Sequence, residues 1–188
     1  MLSAPPPLYV RAAVPADLDR LAALRTEAAA WIARQHGSRQ WSDPFDATRS
    51  LVWIERAATV VALLEPDGEP VATVTDRPTG SRLLWTPQEL ADPARYFSRF
   101  IVDRRYAGRG IGAHLTDWAR WRAAGAGAEL VRTNAWSDNA GLHAYYRAHG
   151  WQWVRTVTGN RSGALFEMAV RRSRPRCVHE LGEIPLLR

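Results

Sequence analysis

The chain contains no lysine, and Cys177 is the only cysteine among its 188 residues. A single cysteine cannot form an internal disulfide, and no Cys/His spacing marks a metal site. The longest apolar stretch, Ala57 to Leu64, is far shorter than the about 20 residues that span a bilayer. Because the first residues also lack the basic and apolar regions of a secretory signal, we predict a cytoplasmic protein that binds no metal and crosses no membrane.

The rest of the composition is that of a folded domain. Hydrophobic residues make up 46% of the chain and charged residues 23%, which excludes an intrinsically disordered protein. The length predicts one domain over residues 1–170, followed by a basic C-terminal extension over residues 171–188. All 25 basic residues are arginine and the net charge is +6, so anionic partners are favoured. No aromatic residue is interleaved among the arginines of the extension, which argues against nucleic acid as a partner.

Hydrophobic patterning predicts a chain that alternates between strands and helices. Strands are predicted at 8–11, 57–65, 70–76, 96–102, 129–134, 151–158 and 165–170. Helices are predicted at 15–37, 47–56, 110–124 and 139–149, and residues 77–94 form a long loop with a possible turn of helix. This order indicates an α/β domain with a central mixed β-sheet of about seven strands and helices on both faces. Parallel pairing is expected between the strands at 96–102 and 129–134.

The segment over residues 101–121 carries the most chemical information. A predicted strand is followed by a turn that contains Gly108, Gly110 and Gly112, and a helix begins at once. Glycines let the backbone approach a ligand closely, and the free N–H groups of the first helical turn favour negative charge. Three nearby arginines add positive charge: Arg104, Arg105 and Arg109. The pattern predicts a diphosphate site; the alternative is a tight turn without a ligand.

Two common phosphate-binding motifs do not fit this turn. A Walker A loop requires a Gly-Lys-Ser/Thr sequence, which a chain without lysine cannot contain. The dinucleotide fingerprint requires a third glycine at a spacing that is missing here. It also requires an acidic residue at the end of the next strand, which reads LVRTN over residues 130–134.

Two motifs in the correct order resemble those of the GNAT superfamily of N-acetyltransferases. The first is Arg/Gln-x-x-Gly-x-Gly/Ala after a strand that ends in Val-Asp, and it aligns with residues 107–112 after Val102 and Asp103. The second is Asn-x(6)-Tyr-x(3)-Gly-aromatic, and it aligns with Asn139, Tyr146, Gly150 and Trp151. The resemblance extends over residues 8–170 and agrees with the predicted order of strands and helices.

The resemblance implies a GNAT-like fold, with acetyl-CoA as co-substrate and an amine as acceptor. Backbone groups of Phe100, Ile101 and Val102 would then hold the pantetheine arm. The diphosphate would be cradled by the residues of the turn: Ala107, Gly108, Arg109, Gly110, Ile111 and Gly112. By the same resemblance, Asn139 would hydrogen-bond to the cofactor and Tyr146 would donate a proton toward the departing thiolate.

Two positions depart from the family pattern. Ala107 replaces the usual Arg or Gln, but its backbone N–H remains available. Ser98 stands where many members carry a glutamate, and a serine cannot remove a proton from an ammonium group near neutral pH. The candidate bases elsewhere in the chain are Glu89, Asp92, Asp138 and His143. The remaining possibility is an acceptor that is itself a weaker base, such as an arylamine.

The acceptor is expected to be a small-molecule or peptide amine, attacking the thioester directly. Trp41, Trp53 and Trp85 fall in the variable regions that surround the acceptor in the family, where they would line an aromatic or cationic acceptor pocket. Cys177 lies outside both motifs, which argues against a covalent acyl-cysteine. Two alternatives remain: an acyl-CoA-binding sensor or interaction module that has lost its base, and a nucleic-acid-associated protein. The protein is expected to be a monomer or a homodimer.

Overall fold

The computed structural model describes residues 7–186, so residues 1–6 and 187–188 of the two predicted segments lie outside the described residues. The described part contains eight strands: β1 Leu8–Ala12, β2 Thr59–Leu63, β3 Ala72–Arg77, β4 Ala94–Val102, β5 Leu130–Ala135, β6 Gln152–Thr156, β7 Ala164–Ala169 and β8 Val178–Glu180. It contains five α-helices: α1 Leu18–His36, α2 Ala47–Glu55, α3 Pro87–Ala91, α4 Ile111–Gly125 and α5 Ala140–Ala148. No helix among these is long and apolar enough to cross a membrane.

All eight strands belong to one sheet, in the order β6-β7-β5-β4-β3-β2-β1-β8. The pairs β4–β5 and β1–β8 are parallel, and the other neighbours are antiparallel. The predicted mixed sheet and the parallel pairing of β4 with β5 are therefore confirmed. A parallel pair requires a crossover connection, and here α4 makes it.

The sheet has eight strands rather than about seven, because the tail contributes β8. Its backbone extends the sheet beyond β1: the Leu8 amide donates to the Cys177 carbonyl (2.8 Å), and the Leu181 amide donates to the Val10 carbonyl (2.8 Å). Strand β8 has only three residues and its sequence, VHE, has no alternating apolar pattern, so periodicity gave no signal for it. The segment predicted as a basic extension thus carries a strand.

Helices cover both faces of the sheet. Helix α4 packs through Ile111, Leu115 and Trp118 into the main core cluster, and α5 packs against the same cluster. Helices α1 and α2 cover the opposite face, where Leu24 and Ile54 join a second buried cluster. This arrangement confirms the predicted layers and leaves β4 and β5 between two sets of helices.

Strand β4 contains the irregularity that creates the site. Opposite β3 its register shifts between Thr73↔Ile101 and Thr75↔Ser98, so one extra residue is inserted. Arg99 takes a positive φ of 50° at this β-bulge, a conformation that a non-glycine residue rarely adopts. Pairing with β5 ends at Phe97↔Thr133. Beyond Phe97 the two parallel strands separate, and the β5-facing edge of β4 is left open.

Candidate active site

A cleft of about 930 Å³ opens where β4 and β5 separate. Five consecutive residues of β4, 98–102, line it, together with the C-terminal half of α1 and the first turns of α4 and α5. Phe100 and Val102 contact the core on the α4 face, whereas Ile101 belongs to the cluster on the α1–α2 face. The cleft therefore reaches both faces of the sheet.

Ten of the eleven predicted site residues line this cleft: Phe100, Ile101, Val102, Ala107, Gly108, Gly110, Ile111, Gly112, Asn139 and Tyr146. Arg109 is absent from the lining, and its guanidinium lies 5.3 Å from the ring centre of Tyr106. The two motifs are thus brought to one cavity, although they are separated by about thirty residues of chain.

The turn before α4 presents bare backbone to the cleft. Gly108 and Gly110 have φ values of 78° and 75°, which L-residues avoid. Gly110 is the N-cap of α4, and no side chain caps the first turn. The amides of residues 111–113 therefore have no intrahelical partner, and the helix dipole adds partial positive charge at the same place. A Cβ on Gly112 would lie 3.1 Å from the Tyr145 hydroxyl, a tight contact that would require this hydroxyl to shift slightly.

The three arginines near the turn have different surroundings. Arg104 lines the cleft and its guanidinium lies 3.7 Å from the Trp31 ring centre. Arg105 is paired with Asp103 at 2.7 Å, and Arg109 is placed over Tyr106 as described above. Of the three arginines expected to add charge to the site, only Arg104 lines the cleft.

Asp103 holds the turn in place through hydrogen bonds. Its carboxylate is fully buried and accepts from Arg20 of α1, from the Arg105 side chain and from the Arg105 amide (2.9 Å). Burial alone would raise the pKa of Asp103, but these hydrogen bonds lower it below its ordinary value. The carboxylate therefore stays ionised and joins α1 to the end of β4.

The Tyr146 side chain lies at the point where the strands separate. Its ring contacts Trp151 and Phe166, with ring centres 5.4 and 5.1 Å away. Burial raises the pKa of the Tyr146 hydroxyl to about 12, and a hydrogen bond with Thr133 opposes part of that rise. Since Thr133 is the last β5 residue paired with β4, the hydroxyl is placed at the apex of the opening.

Asn139 has a structural task that the motif alone did not reveal. Its side-chain oxygen accepts from the Leu142 amide (3.0 Å) and caps α5. Its side-chain nitrogen donates to the Gln40 side chain (2.9 Å), which lies in the loop after α1. Ser38 in the same loop donates to Asp138 at 2.7 Å. The α1–α2 loop is thus attached to the start of α5 across the cleft.

None of the four candidate bases lines the cleft. Glu89 pairs with Arg155 and Asp92 pairs with Arg132 near α3, while Asp138 accepts from Ser38. His143 shares a hydrogen bond with the Trp136 carbonyl at 2.9 Å. Ser98 does line the cleft, and its hydroxyl is buried without a hydrogen-bond partner among the described residues.

Sequence reasoning missed His36, the last residue of α1. Its imidazole lines the cleft, and the Trp31 ring lies edge-on 5.0 Å away. A Cβ on Gly141 would come within 2.4 Å of the imidazole, so the side chain lies directly against the start of α5. No carboxylate is found among the described residues that line the cleft. No motif marks His36, because it comes to the site only through the packing of α1 on the sheet.

The predicted tryptophans divide into two groups. Trp41 and Trp53 line the cleft on the α1–α2 side. Trp85 is buried away from it, with its ring against Tyr96 (5.7 Å) and the Arg132 guanidinium (4.8 Å). The wall beside Trp53 also carries three arginines that sequence reasoning did not single out: Arg49, Arg77 and Arg99.

A comparison with known proteins identifies the family. The model of the acetyltransferase (GNAT) family matches residues 24–151. The chain belongs to the GNAT family. A curated relative, the uncharacterized N-acetyltransferase YesJ of Bacillus subtilis (strain 168), is 31% identical over 155 residues, or 78% of this chain and 82% of that protein. This GNAT chain is therefore an acyltransferase of the N-acetyltransferase type, and acetyl-CoA is the acyl donor of its family.

Solved structures share the GNAT fold. A GNAT acetyltransferase of Listeria monocytogenes 4b F2365 is 25% identical and has a TM-score of 0.69, with 87% of this chain and 95% of that chain covered. The PaiA N-acetyltransferase of Thermoplasma acidophilum, solved in complex with coenzyme A, has a TM-score of 0.67 at 15% identity, with 86% and 98% covered. At the latter identity the likeness shows the fold alone.

Proposed function

We propose that this GNAT chain transfers the acetyl group of acetyl-CoA to a small-molecule or peptide amine by direct attack on the thioester. The observation that supports this most is that one cleft holds the open edge of β4, the Ser98 hydroxyl and Tyr146. The lone thiol, Cys177, lies outside the cleft, with its sulfur 3.1 Å from His114 Nδ1. A covalent acyl-cysteine step is therefore not part of the proposal.

The cleft residues fit the shape and charge of acetyl-CoA. The unpaired β4 edge at 100–102 offers backbone hydrogen bonds to the amide-containing pantetheine arm. The free amides at 111–113 and the guanidinium of Arg104 suit a diphosphate. Asn139 uses its side-chain oxygen as a helix cap, so we assign it to holding the site together, with one N–H left for the cofactor.

Acetyl-CoA supplies the activated acetyl group. The acceptor nitrogen forms a bond to the carbonyl carbon and loses a proton to a base, the carbon–sulfur bond breaks, and coenzyme A leaves as a thiolate that takes up a proton from solvent. With the pKa of Tyr146 near 12 and that of a thiol near 8.5, complete proton transfer from Tyr146 is uphill by about 5 kcal/mol. Tyr146 therefore acts as a hydrogen-bond donor whose bond strengthens as charge develops on sulfur.

We propose His36 as the group that accepts the proton from the amine, directly or through a water held by Ser98. Imidazole is the side chain that exchanges protons between pH 5 and 8, and His36 stands on the α1 side of the cleft. An alkylamine is only about one part in a thousand neutral near pH 7.4. Supplying the neutral amine at that pH costs about 4 kcal/mol with or without a base, and the base is needed for the proton that the nitrogen loses as its bond to carbon forms.

The second candidate function is an acyl-CoA-binding sensor. One observation favours it: no carboxylate lines the described part of the cleft. Calorimetry with coenzyme A, combined with thiol release from acetyl-CoA in the presence of an amine panel, separates the two functions. The proposed enzyme binds coenzyme A and releases thiol only when an acceptor is present. Binding without any acceptor-dependent thiol release would favour the sensor, and no binding would overturn both functions.

We also propose a compartment, an oligomeric state and a domain boundary for this chain. A reaction that consumes acetyl-CoA fits the cytoplasm, and the chain is proposed to act there as a monomer or homodimer. The predicted boundary at residue 170 leaves β8 and the buried side chains of Val178 and Ile184 outside the domain, so we propose that the folded unit continues through them.

A further inference from the structure

The α1–α2 side of the cleft carries a group of arginines that the proposed chemistry does not use. Arg49 belongs to α2, Arg77 ends β3 and Arg99 occupies the bulge of β4. All three line the cleft beside Ser98, on the wall that holds Trp41 and Trp53. We call Arg49, Arg77 and Arg99 the arginine wall.

The arginine wall lacks carboxylate partners within residues 7–186. No ion pair joins its members to an acidic side chain, and the Arg77 Nε is buried without a hydrogen-bond partner. Two carboxylates lie within electrostatic reach of the wall, Asp46 of Arg99 and Asp76 of Arg77, but neither forms an ion pair with it. Asp46 caps α2 by accepting from the Arg49 amide (2.8 Å), and Asp76 is held by Arg95 through two contacts of 2.9 Å. Buried donors without partners are costly, so the wall is suited to a ligand that supplies acceptors.

Electrostatics within the wall support this reading. Burial, followed by the charges of Arg49 and Arg77, lowers the pKa of Arg99 to about 10. Burial and Arg49 likewise lower the pKa of Arg77. The three guanidinium groups are therefore close enough to repel one another. Arg99 is also held at a φ of 50°, and such strained residues concentrate at binding sites.

From these observations we infer that the acceptor is a small primary amine that also carries an anionic group, a carboxylate or a phosphate, bound by the arginine wall. The inference deepens the proposed function and rests on it. Guanidinium groups bind both anions through paired, charge-assisted hydrogen bonds. The anion would occupy the α1–α2 side of the cleft and direct the amine toward Ser98.

The same geometry argues against a cationic acceptor, although tryptophans alone would suit one. The Trp53 ring already has two guanidinium groups beside it, Arg56 at 5.6 Å and Arg77 at 5.8 Å. A polyamine in the cleft would meet Arg77 together with Arg49 and Arg99. Like charges brought together in a poorly solvated site are unfavourable, so polyamines are expected to be poor acceptors.

The test compares matched amines at fixed acetyl-CoA. L-phenylalanine is set against L-phenylalaninamide, phosphoethanolamine against ethanolamine, and spermidine is the cationic arm. We expect kcat/KM to favour the anionic member of at least one pair by about tenfold to a hundredfold, as for charged hydrogen bonds. The amide carries the more easily deprotonated amine, so chemistry alone would favour it over the acid. The two pairs tell carboxylate from phosphate.

The test variants are Arg77→Gln and Arg49→Gln. The matched control is Arg56→Gln, because Arg56 lies beside the Trp53 ring but does not line the cleft. Each test variant is expected to lower kcat/KM for the anionic amine about tenfold while KM for acetyl-CoA stays unchanged. The control is expected to change neither. Arg49 is exposed, so its variant should fold even if loss of the Arg77 guanidinium disturbs packing; thermal melting checks both.

Three results would overturn the inference: equal or better rates for the neutral or cationic amines, unchanged preference in both test variants, or an equal loss in the control. If no amine is turned over while coenzyme A still binds, calorimetry of N-acetyl-L-phenylalanine against its amide decides. Tighter binding of the acid supports the inference, and equal or absent binding overturns it. The proposed function has its own failure, an absence of any coenzyme A binding, so the two are distinguishable.

Discussion

Tyr146 illustrates how a residue's chemistry depends on its surroundings. Burial against Trp151 and Phe166 raises its pKa to about 12, which makes it a poor source of a complete proton but leaves its O–H available across the working pH range. We expect Tyr146→Phe to lower kcat by about tenfold to a thousandfold, with acetyl-CoA affinity nearly unchanged. Turnover measured together with calorimetry checks this.

Tyr145→Phe is the matched control for that prediction. Tyr145 precedes Tyr146 on α5, lines the same cleft and is partly exposed, yet its hydroxyl lies beside Gly112 rather than at the strand opening. It is expected to affect acetyl-CoA affinity more than kcat. If Tyr146→Phe retains full activity, the assigned role of the Tyr146 hydroxyl is wrong.

His36 is the residue that we propose as the base. His36→Gln is expected to lower kcat/KM for an alkylamine acceptor about tenfold to a thousandfold, because glutamine cannot accept the amine proton. The measurement is kcat/KM at fixed acetyl-CoA, and His179→Gln, whose side chain is exposed on β8, is the control that should keep the wild-type value. Wild-type activity in His36→Gln would transfer the role to solvent.

At the scale of an element, the start of α4 leaves its backbone amides accessible because glycines there carry no side chains. In Gly112→Ala, a Cβ would lie 3.1 Å from the Tyr145 hydroxyl and 3.6 Å from Val102 Cγ2, both of which belong to residues that line the cleft. We expect the Kd for coenzyme A to rise about tenfold, equivalent to about 1.4 kcal/mol. Gly125→Ala, at the last residue of the same helix, meets no atom within 4 Å. It should leave Kd unchanged and slightly stabilise the helix.

At the scale of the whole molecule, the tail is part of the folded unit. Val178 and Ile184 are buried, and Glu180 accepts a hydrogen bond from the Trp118 indole (3.0 Å). Burying two such aliphatic side chains contributes roughly 4 kcal/mol. A chain that ends at Val170 is therefore expected to melt about 10 °C or more below the full chain, measured by thermal denaturation. A chain that ends at Leu186 is the control, and equal melting of both would place the boundary at residue 170.

The stability of the fold at acidic pH depends on ion pairs that join distant segments of the chain, such as the pair between Glu89 and Arg155. The hydrogen bond from Arg155 lowers the pKa of Glu89 to about 2, whereas an ordinary glutamate has a value near 4.3. Since the pKa is depressed on folding, this stabilisation is present above about pH 4.3 and is lost as the pH falls toward 2. The lowered pKa of Glu89 stabilises the folded state by at most about 3 kcal/mol.

We therefore expect Glu89→Gln to be less stable than the wild type at pH 7 by about 1–3 kcal/mol, with the difference shrinking as pH falls toward 2. Urea unfolding at several pH values measures it. Glu55→Gln, at the exposed end of α2, is the control and should show no such trend. A difference that stays constant with pH would mean that the ion pair does not contribute in the proposed way.

Most of the fold was predictable from local patterns, and the exceptions have physical reasons. Helix α4 was predicted because burial of one helix face produces apolar periodicity, and β2, which is buried on both faces, was predicted from its continuous apolar run. Strand β8 was missed because it is short and polar. The opening between β4 and β5 was not predictable either, because a bulge at Arg99 reverses the alternation of side chains and leaves no local signal.

The glycines of the turn predicted only a diphosphate site, because a helix start with bare amides favours an anion. Together with Asn139 and Tyr146 they resemble the two GNAT motifs, and that resemblance was enough to predict the family and the cofactor. Folding decided which charges reach the cleft. It removed Glu89, Asp92, Asp138 and His143 from the cleft lining, and it brought His36 and the arginine wall to it. Such choices depend on contacts between residues far apart along the chain, and local sequence does not encode the direction of a side chain across a sheet.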